Sequence, residues 1–209
     1  MTRRFSLVAV AAFAVLTLSE TAAAQNAAPA SGAPSTTSTK WVVDPVHSQV
    51  EFGIRHLMGR VRGSFSRWYG VITTSDRDWS HGKVNVQVQT ASINTGNAYR
   101  DTDLRSPRFL SSDSFPAMTF ESIGIVATDS TVEISGILTL RGHFHPVVLK
   151  GHFNGIGHDK EGHERIGFDA ATVVNRRDYG ITWNEVVEGS RVIGDDVEIS
   201  ISLEAVRVD

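Results

Sequence analysis

Five histidines, His143, His145, His152, His158 and His163, fall within 21 residues, and zinc is the first chemistry such a cluster suggests. On a strand, His143 and His145 share a face and His152 could approach from the next strand, giving three imidazole ligands. The competing reading makes "GHFHPV" a hairpin with solvated histidines, places His158 and His163 in a glycine-rich charged loop, and binds no metal. Nucleophiles are scarcer. No G-x-S-x-G elbow occurs, no glycine run opens a helix after a strand as a phosphate loop would, and the absence of cysteine removes thiol chemistry. Asp44 with His47, and Arg100 with Asp101, are pairs that a catalytic pocket could use and that turns and ion pairs use more often.

Anion recognition has better material. Sixteen of the 20 basic residues are arginine, whose planar fork grips an oxyanion with two bonds. Arg55, Arg60, Arg62 and Arg67 crowd one hairpin-like region. Arg100, Arg105 and Arg108 stand in "AYRDTDLRSPRFLSSDSFPAMTF", beside Asp101, Asp103 and Asp113. Most should be solvated or paired with those aspartates. One or two could face a phosphate or quinone oxygen at a pocket mouth.

The elements that must position these residues alternate with period two. Val84, Val86 and Val88 share a face opposite Asn85, Gln87 and Gln89. Val197, Ile199, Ile201 and Leu203 do the same against Glu198, Ser200, Ser202 and Glu204. "QVEFGI" (Val50, Phe52, Ile54), "VRGSFSRWYGVI" (Val61, Phe65, Tyr69, Val71), "TVEISGILTL" and "RIGFDAATVV" follow with some breaks. Turn signals separate them, which predicts about eight antiparallel strands. Such a sheet stacks as a sandwich or closes as a barrel, and alternation alone does not choose. The stretch from Asn94 interrupts the pattern: Asn94, Thr95 and Asn97 could cap a short helix that Pro107 ends.

Arg3 and Arg4 precede an apolar run from Leu7 to Leu18, followed by small residues. This predicts an export signal over residues 1–24, cleaved after Ala24, and hence a periplasmic protein. The competing reading is an uncleaved anchor, for which a twelve-residue run falls short of the ~20 residues a membrane-spanning helix needs. Residues 25–40 hold little that could form a core and read as a disordered linker, leaving one domain over 41–209. The net charge of −3, one unit more negative without residues 1–24, argues against nucleic acid as a partner.

Several segments in order resemble the YceI-like family of exported polyisoprenoid-binding proteins. They are "WVVDPVHSQVEFGIRHLMGRVRGSF", "ASINTGNAYRDTDLRSPRFLSSDSFPAMTFES", "GILTLRGHFHPVVL", "FDAATVVNRRDYGI" and "IGDDVEISISLEAV". Asp103 departs from the pattern, since the family commonly has histidine there. The resemblance implies an all-β fold, an eight-stranded antiparallel lipocalin-like barrel with a short helix and loop insertion near one end. Its bore would take an isoprenoid quinone or prenyl phosphate, with no other cofactor, and the family favours a homodimer. Joined to the alternation, this predicts a bore lined by Phe52, Ile54, Phe65 and Val86, and by Leu138, Phe168 and Ile199. Phe109, Phe115 and Phe120 would form a lid, and Arg62, Arg100 and Arg105 are the head-group candidates. The expected role is a non-enzymatic lipid carrier without a membrane span. Two alternatives stand: an enzyme using Asp44, His47 and Arg100 on such a lipid, and a ligand-free stress-response protein with a filled core.

Overall fold

A computed structural model describes residues 38–208, apart from 76, 77, 129 and 188. The expected export signal and most of the linker lie outside the described residues. Ser38 to Lys40, expected in the linker, belong instead to the first strand, where Thr39 is buried opposite Thr74.

Three staves of the barrel are broken strands. β1 (Ser38–Val43) and β2 (Gln49–His56) lie end to end along the same partner, and β3 (Gly59–Phe65) and β4 (Trp68–Ser75) lie end to end beside them. β5 (Asp78–Gln89) pairs with β4, and after one 3-10 turn β6 (Ile93–Asn94) pairs with β3. The insertion follows, with helix α1 (Ala98–Arg105). Four further staves then run antiparallel: β7 (Ala117–Ala127), β8 (Thr131–Leu140), β9 (His143–His158) and β10 (Glu164–Asn175). A small hairpin of β11 (Val186–Val187) and β12 (Ser190–Arg191) precedes β13 (Ile193–Arg207). β13 closes the ring, pairing with β10 on one side and with both β1 and β2 on the other. The result is a closed eight-stave antiparallel barrel, so closure and not stacking covers the apolar face.

Alternation holds along most of the strands, slipping by one residue at the Ser122–Gly124 bulge of β7, and each break between strands resets it. Phe65 points inward, but Ser66 and Arg67 intervene, and beyond them Trp68 and Ile72 are the buried residues while Tyr69 is 57% exposed. The expectation of Tyr69 and Val71 on the Phe65 face is thereby corrected, because an irregular step between two strands changes which residues face the core.

The insertion is tied down by its own polar groups. Asn97 caps α1 by accepting from the Arg100 backbone N–H at 3.0 Å, and buried Asp101 accepts from the N–H (2.9 Å) and hydroxyl (2.6 Å) of Thr95. Arg105 donates to the carbonyls of Ala91 (2.8 Å) and Ile93 (2.9 Å). These bonds fix the helix across one end of the barrel.

Candidate ligand chamber

Inside the barrel lies a chamber of about 970 Å³, mainly apolar, reaching from α1 and the residue 108–110 loop to Val197 and Ile199 of β13. A second space of about 380 Å³ continues toward the far end, against Ile201 and Leu203 of the same strand. Val50 lines both. Ile193 lines the large chamber and Leu203 the small one, ten residues along one strand, a path of roughly 33 Å at ~3.3 Å per residue. Together they make an elongated bore in two compartments.

Near the junction of the two, Phe120 lines neither space. It sits in register between Val86 and Leu138 on adjacent strands. Val86 lines the small chamber and Leu138 the large one, while buried Phe120 lies over Gly136. A Cβ on Gly136 would come within 2.4 Å of the Phe120 ring, so only glycine leaves room for it. The far compartment ends in aromatic rings: Trp79 stands edge-on to Phe168 with centroids 5.3 Å apart, and Phe153 lies 5.0 Å from Phe168.

The expected residues therefore divide. Phe52, Ile54, Phe65, Phe109, Leu138 and Ile199 line the large chamber, and Val86 and Phe168 the small one. Phe120 belongs to barrel strand β7, lines neither space and packs over Gly136, so it is not part of a lid. Phe115 lines neither space; its ring packs beside Gly142, and its carbonyl accepts from the Thr90 hydroxyl at 2.8 Å. Of the arginines, only Arg100 of the three candidates lines the chamber, its Nε donating to the Thr95 hydroxyl at 2.8 Å. Arg62 is on the outer face, because its register partner Gly53 faces out, and it lines a polar groove with Glu198. Arg105 is consumed by its two carbonyls.

Residues outside the three head-group candidates complete the mouth. Arg108 is ion-paired with Asp103, and its guanidinium lies 4.7 Å from the Trp183 ring centroid. Trp183 stands edge-on to Phe109 at 5.3 Å. Arg176 is 4% exposed and clasps the segment that crosses the mouth, donating to the carbonyls of Gly194 (2.8 Å), Ile181 (2.7 Å) and Trp183 (2.8 Å) and to Asp195 (2.9 Å). Burial lowers its proton affinity and the Asp195 charge opposes that. Tyr179, buried in the same wall, has its hydroxyl pushed up to about 12, by burial and then by the Asp178 charge. Arg176 was legible, since it continues the inward alternation of Phe168, Ala170, Thr172 and Val174; Trp183, in an irregular segment, gave no periodic signal.

The catalytic and metal readings lose their geometry. Asp44 and His47 line neither chamber; they pair at 2.8 Å in an ion cluster where Arg165 meets Asp44 (2.7 Å) and Asp159 (3.1 Å). Arg165 and then His47 hold the Asp44 carboxyl well below the usual range. The three histidines do not converge: His145 meets the Asp178 carbonyl (3.0 Å), His152 the Ser130 carbonyl (3.3 Å), and His143 abuts Gly180. Among the described residues, the one grouping with metal-ligand spacing is Asp159, Glu161 and His163 in the β9–β10 turn. There Asp159 already accepts from the Glu161 and His163 N–H groups.

Comparison with known proteins adds to this geometry. Residues 41–205 match the model of the YceI-like domain. Protein YceI of Salmonella arizonae is 36% identical over 162 residues, covering 77% of this chain and 82% of its own. The crystal structure of a Campylobacter jejuni YCEI protein superposes with a TM-score of 0.65 at 29% identity, over 75% of this chain and 91% of that one. A domain from Saccharophagus degradans, described as polyisoprenoid binding and implicated in plant cell wall breakdown, superposes with a TM-score of 0.62 at 15% identity, over 79% and 97%. That last likeness speaks to the fold alone.

Proposed function

We propose, from the premise that this chain belongs to the YceI-like family, that it binds a long-chain isoprenoid lipid in the barrel and carries it without chemical change. The observation that carries the reading is the two-part apolar bore, about 970 Å³ and then 380 Å³, strung along a single strand face. A void of the larger size held dry and empty would cost on the order of 20 kcal/mol at about 24 cal/mol per Å³. That exceeds the ~5–15 kcal/mol by which whole domains are stable. The space therefore holds water or a guest, and its lining of Phe52, Ile54, Leu138 and Ile199 favours hydrocarbon. Each buried five-carbon unit contributes roughly 3–4 kcal/mol before ordering costs.

The tail enters past Phe109 and Trp183, and its tip reaches the aromatic end at Trp79 and Phe168. The head group, a quinone ring or a phosphate, stays at the mouth between Arg100 and Arg108, where a guanidinium can reach an oxygen. We place this protein in the periplasm, consistent with the apolar run behind Arg3 and Arg4. The arrangement supports binding over catalysis, because the Asp44–His47 pair that an enzymatic reading needs lies outside both chambers. The family resemblance also supports a homodimer.

Mass spectrometry of an organic extract from purified protein tests the reading. An isoprenoid at near-equal molar amount is the expected result. An empty extract, together with no uptake of added quinone or prenyl phosphate, would overturn it.

A further inference from the structure

Between β2 and β3 the chain turns in two residues, since His56 pairs directly with Gly59. Such turns ordinarily carry Asn-Gly or a glycine, because they require positive φ. Here the two residues are Leu57 and Met58, and Leu57 stands at φ 50°. Leu57 is 42% exposed and Met58 fully exposed, so neither covers the core. The sequence accepts a strained backbone at this tip in order to hold two large apolar side chains in solvent, which folding does not explain.

The surroundings are of one kind. The Leu57 N–H donates to the Val192 carbonyl at 2.7 Å, and the Val192 N–H to Glu185 at 3.0 Å, which places the tip beside the β11–β12 hairpin. That hairpin exposes Val186 (64%) and Val187, and across the opening α1 exposes Tyr99 (89%). Tyr99, His56 and Val186 all line the mouth of the large chamber. The apolar collar thus rings the opening. Its flanks are basic: Arg55, His56, Arg60 and Arg62 bracket the tip, and no acidic residue occurs between Glu51 and Asp76. Arg60 is paired with Glu198, and of the carboxylates at the mouth, Asp103 is paired with Arg108 and Glu185 borders the other hairpin.

We infer that this collar docks on an anionic lipid bilayer, with Leu57 and Met58 inserted among the acyl chains and the arginines at the headgroups, so that the mouth opens onto the membrane. Apolar tips with basic flanks bind in this manner, through buried area plus attraction to anionic lipid. The inference extends the carrier reading by stating where a carrier takes up a water-insoluble ligand, and it rests on that reading for its purpose only.

The test is flotation with vesicles of equal parts phosphatidylglycerol and phosphatidylcholine, against vesicles of phosphatidylcholine alone. Wild type is compared with the double variant Leu57→Asn, Met58→Gly. Both proteins are purified as the cell processes them, so any contribution of residues 1–37 is common to the two. The variant installs a favoured turn sequence at residues that line neither chamber, so its thermal stability should equal or exceed wild type and its extracted lipid should be unchanged. Its affinity for the anionic vesicles should fall at least roughly tenfold, from the loss of two buried apolar side chains. Wild type that fails to float, binds phosphatidylcholine equally, or floats no better than the variant overturns the inference. So does a variant whose altered property is self-association on size-exclusion chromatography, which would make the collar a contact between copies. An empty organic extract with vesicle binding intact would overturn the carrier reading and leave docking standing.

Discussion

Phe120 shows how the packing of one large side chain depends on the strand beside it. Its ring lies over Gly136 of the neighbouring strand, where any Cβ would come within 2.4 Å of it. Replacing it with alanine should cost about 3–5 kcal/mol of stability, measured by urea unfolding, because a phenyl ring leaves a packed site. The face on which Phe120 lies was legible from the sequence, but its role was not, because it depends on Gly136 of the next strand, and alternation says nothing of cross-strand neighbours. Arg62 and Arg105 misled for a related reason: charge identifies a guanidinium, and only register and the available carbonyls say what it grips. The Asp44–Arg165 pair makes a pH prediction. A carboxylate whose folded pKa is depressed stabilises the fold above its unfolded value of about 3.9, and that contribution is lost as pH falls through the lower folded value. Asp159 adds to it: burial raises its pKa, but the His163 N–H and Arg165 outweigh this and hold it at about 2. Asp44→Asn should therefore lower the melting temperature at neutral pH and flatten its decline between pH 4 and 2, a window set by those values and checked by thermal melts across it.

Among the elements, Arg176 ties Ile181, Trp183 and Gly194 to the end of β10. Buried arginine here replaces a sheet ladder, its guanidinium serving three carbonyls and one carboxylate. Lysine cannot reproduce that fork. Arg176→Lys should cost about 3 kcal/mol, the lower range for breaking a buried ionic contact. Faster amide exchange confined to residues 181–195 would show it, with β7 and β8 unchanged by mass spectrometry. Exchange that rises evenly over the barrel would contradict the clasp. The alternating stretches of β5, β10 and β13 were legible because two-residue alternation is their whole physical requirement, whereas the starts of β5 (Asp78–Gly82) and β13 (from Ile193) carry turn-forming residues and read as loops. The broken staves were harder, since Ser66–Arg67 resets the face and moves Trp68 and Ile72 inward at the expense of Tyr69 and Val71. Helix α1 was legible through its candidate caps Asn94, Thr95 and Asn97, of which Asn97 caps it.

For the whole molecule, an occupied bore and an empty one should differ measurably in stability. A guest present at about a thousand times its dissociation constant adds about 4 kcal/mol. For a domain of this size that corresponds to a melting temperature roughly 10 °C higher than after delipidation, by scanning calorimetry. Equal melting temperatures would mean that the bore has no guest of consequence. The choice between barrel and sandwich could not come from period two, which both satisfy; the resemblance supplied it, and the pairing of β13 with β1 shows it directly. That closing pair, Trp41 opposite Arg207, also governs how the chain must assemble. Its partners stand almost a full domain length apart, so the ring shuts only after the C-terminal strand has emerged. Loop-closure entropy is met before the contact returns anything, which places folding among the slow β topologies, in milliseconds to seconds. A product shortened by its last seventeen residues would lose β13 and leave β10, β1 and β2 with unpaired edges, an open trough inviting other chains to fill the gap.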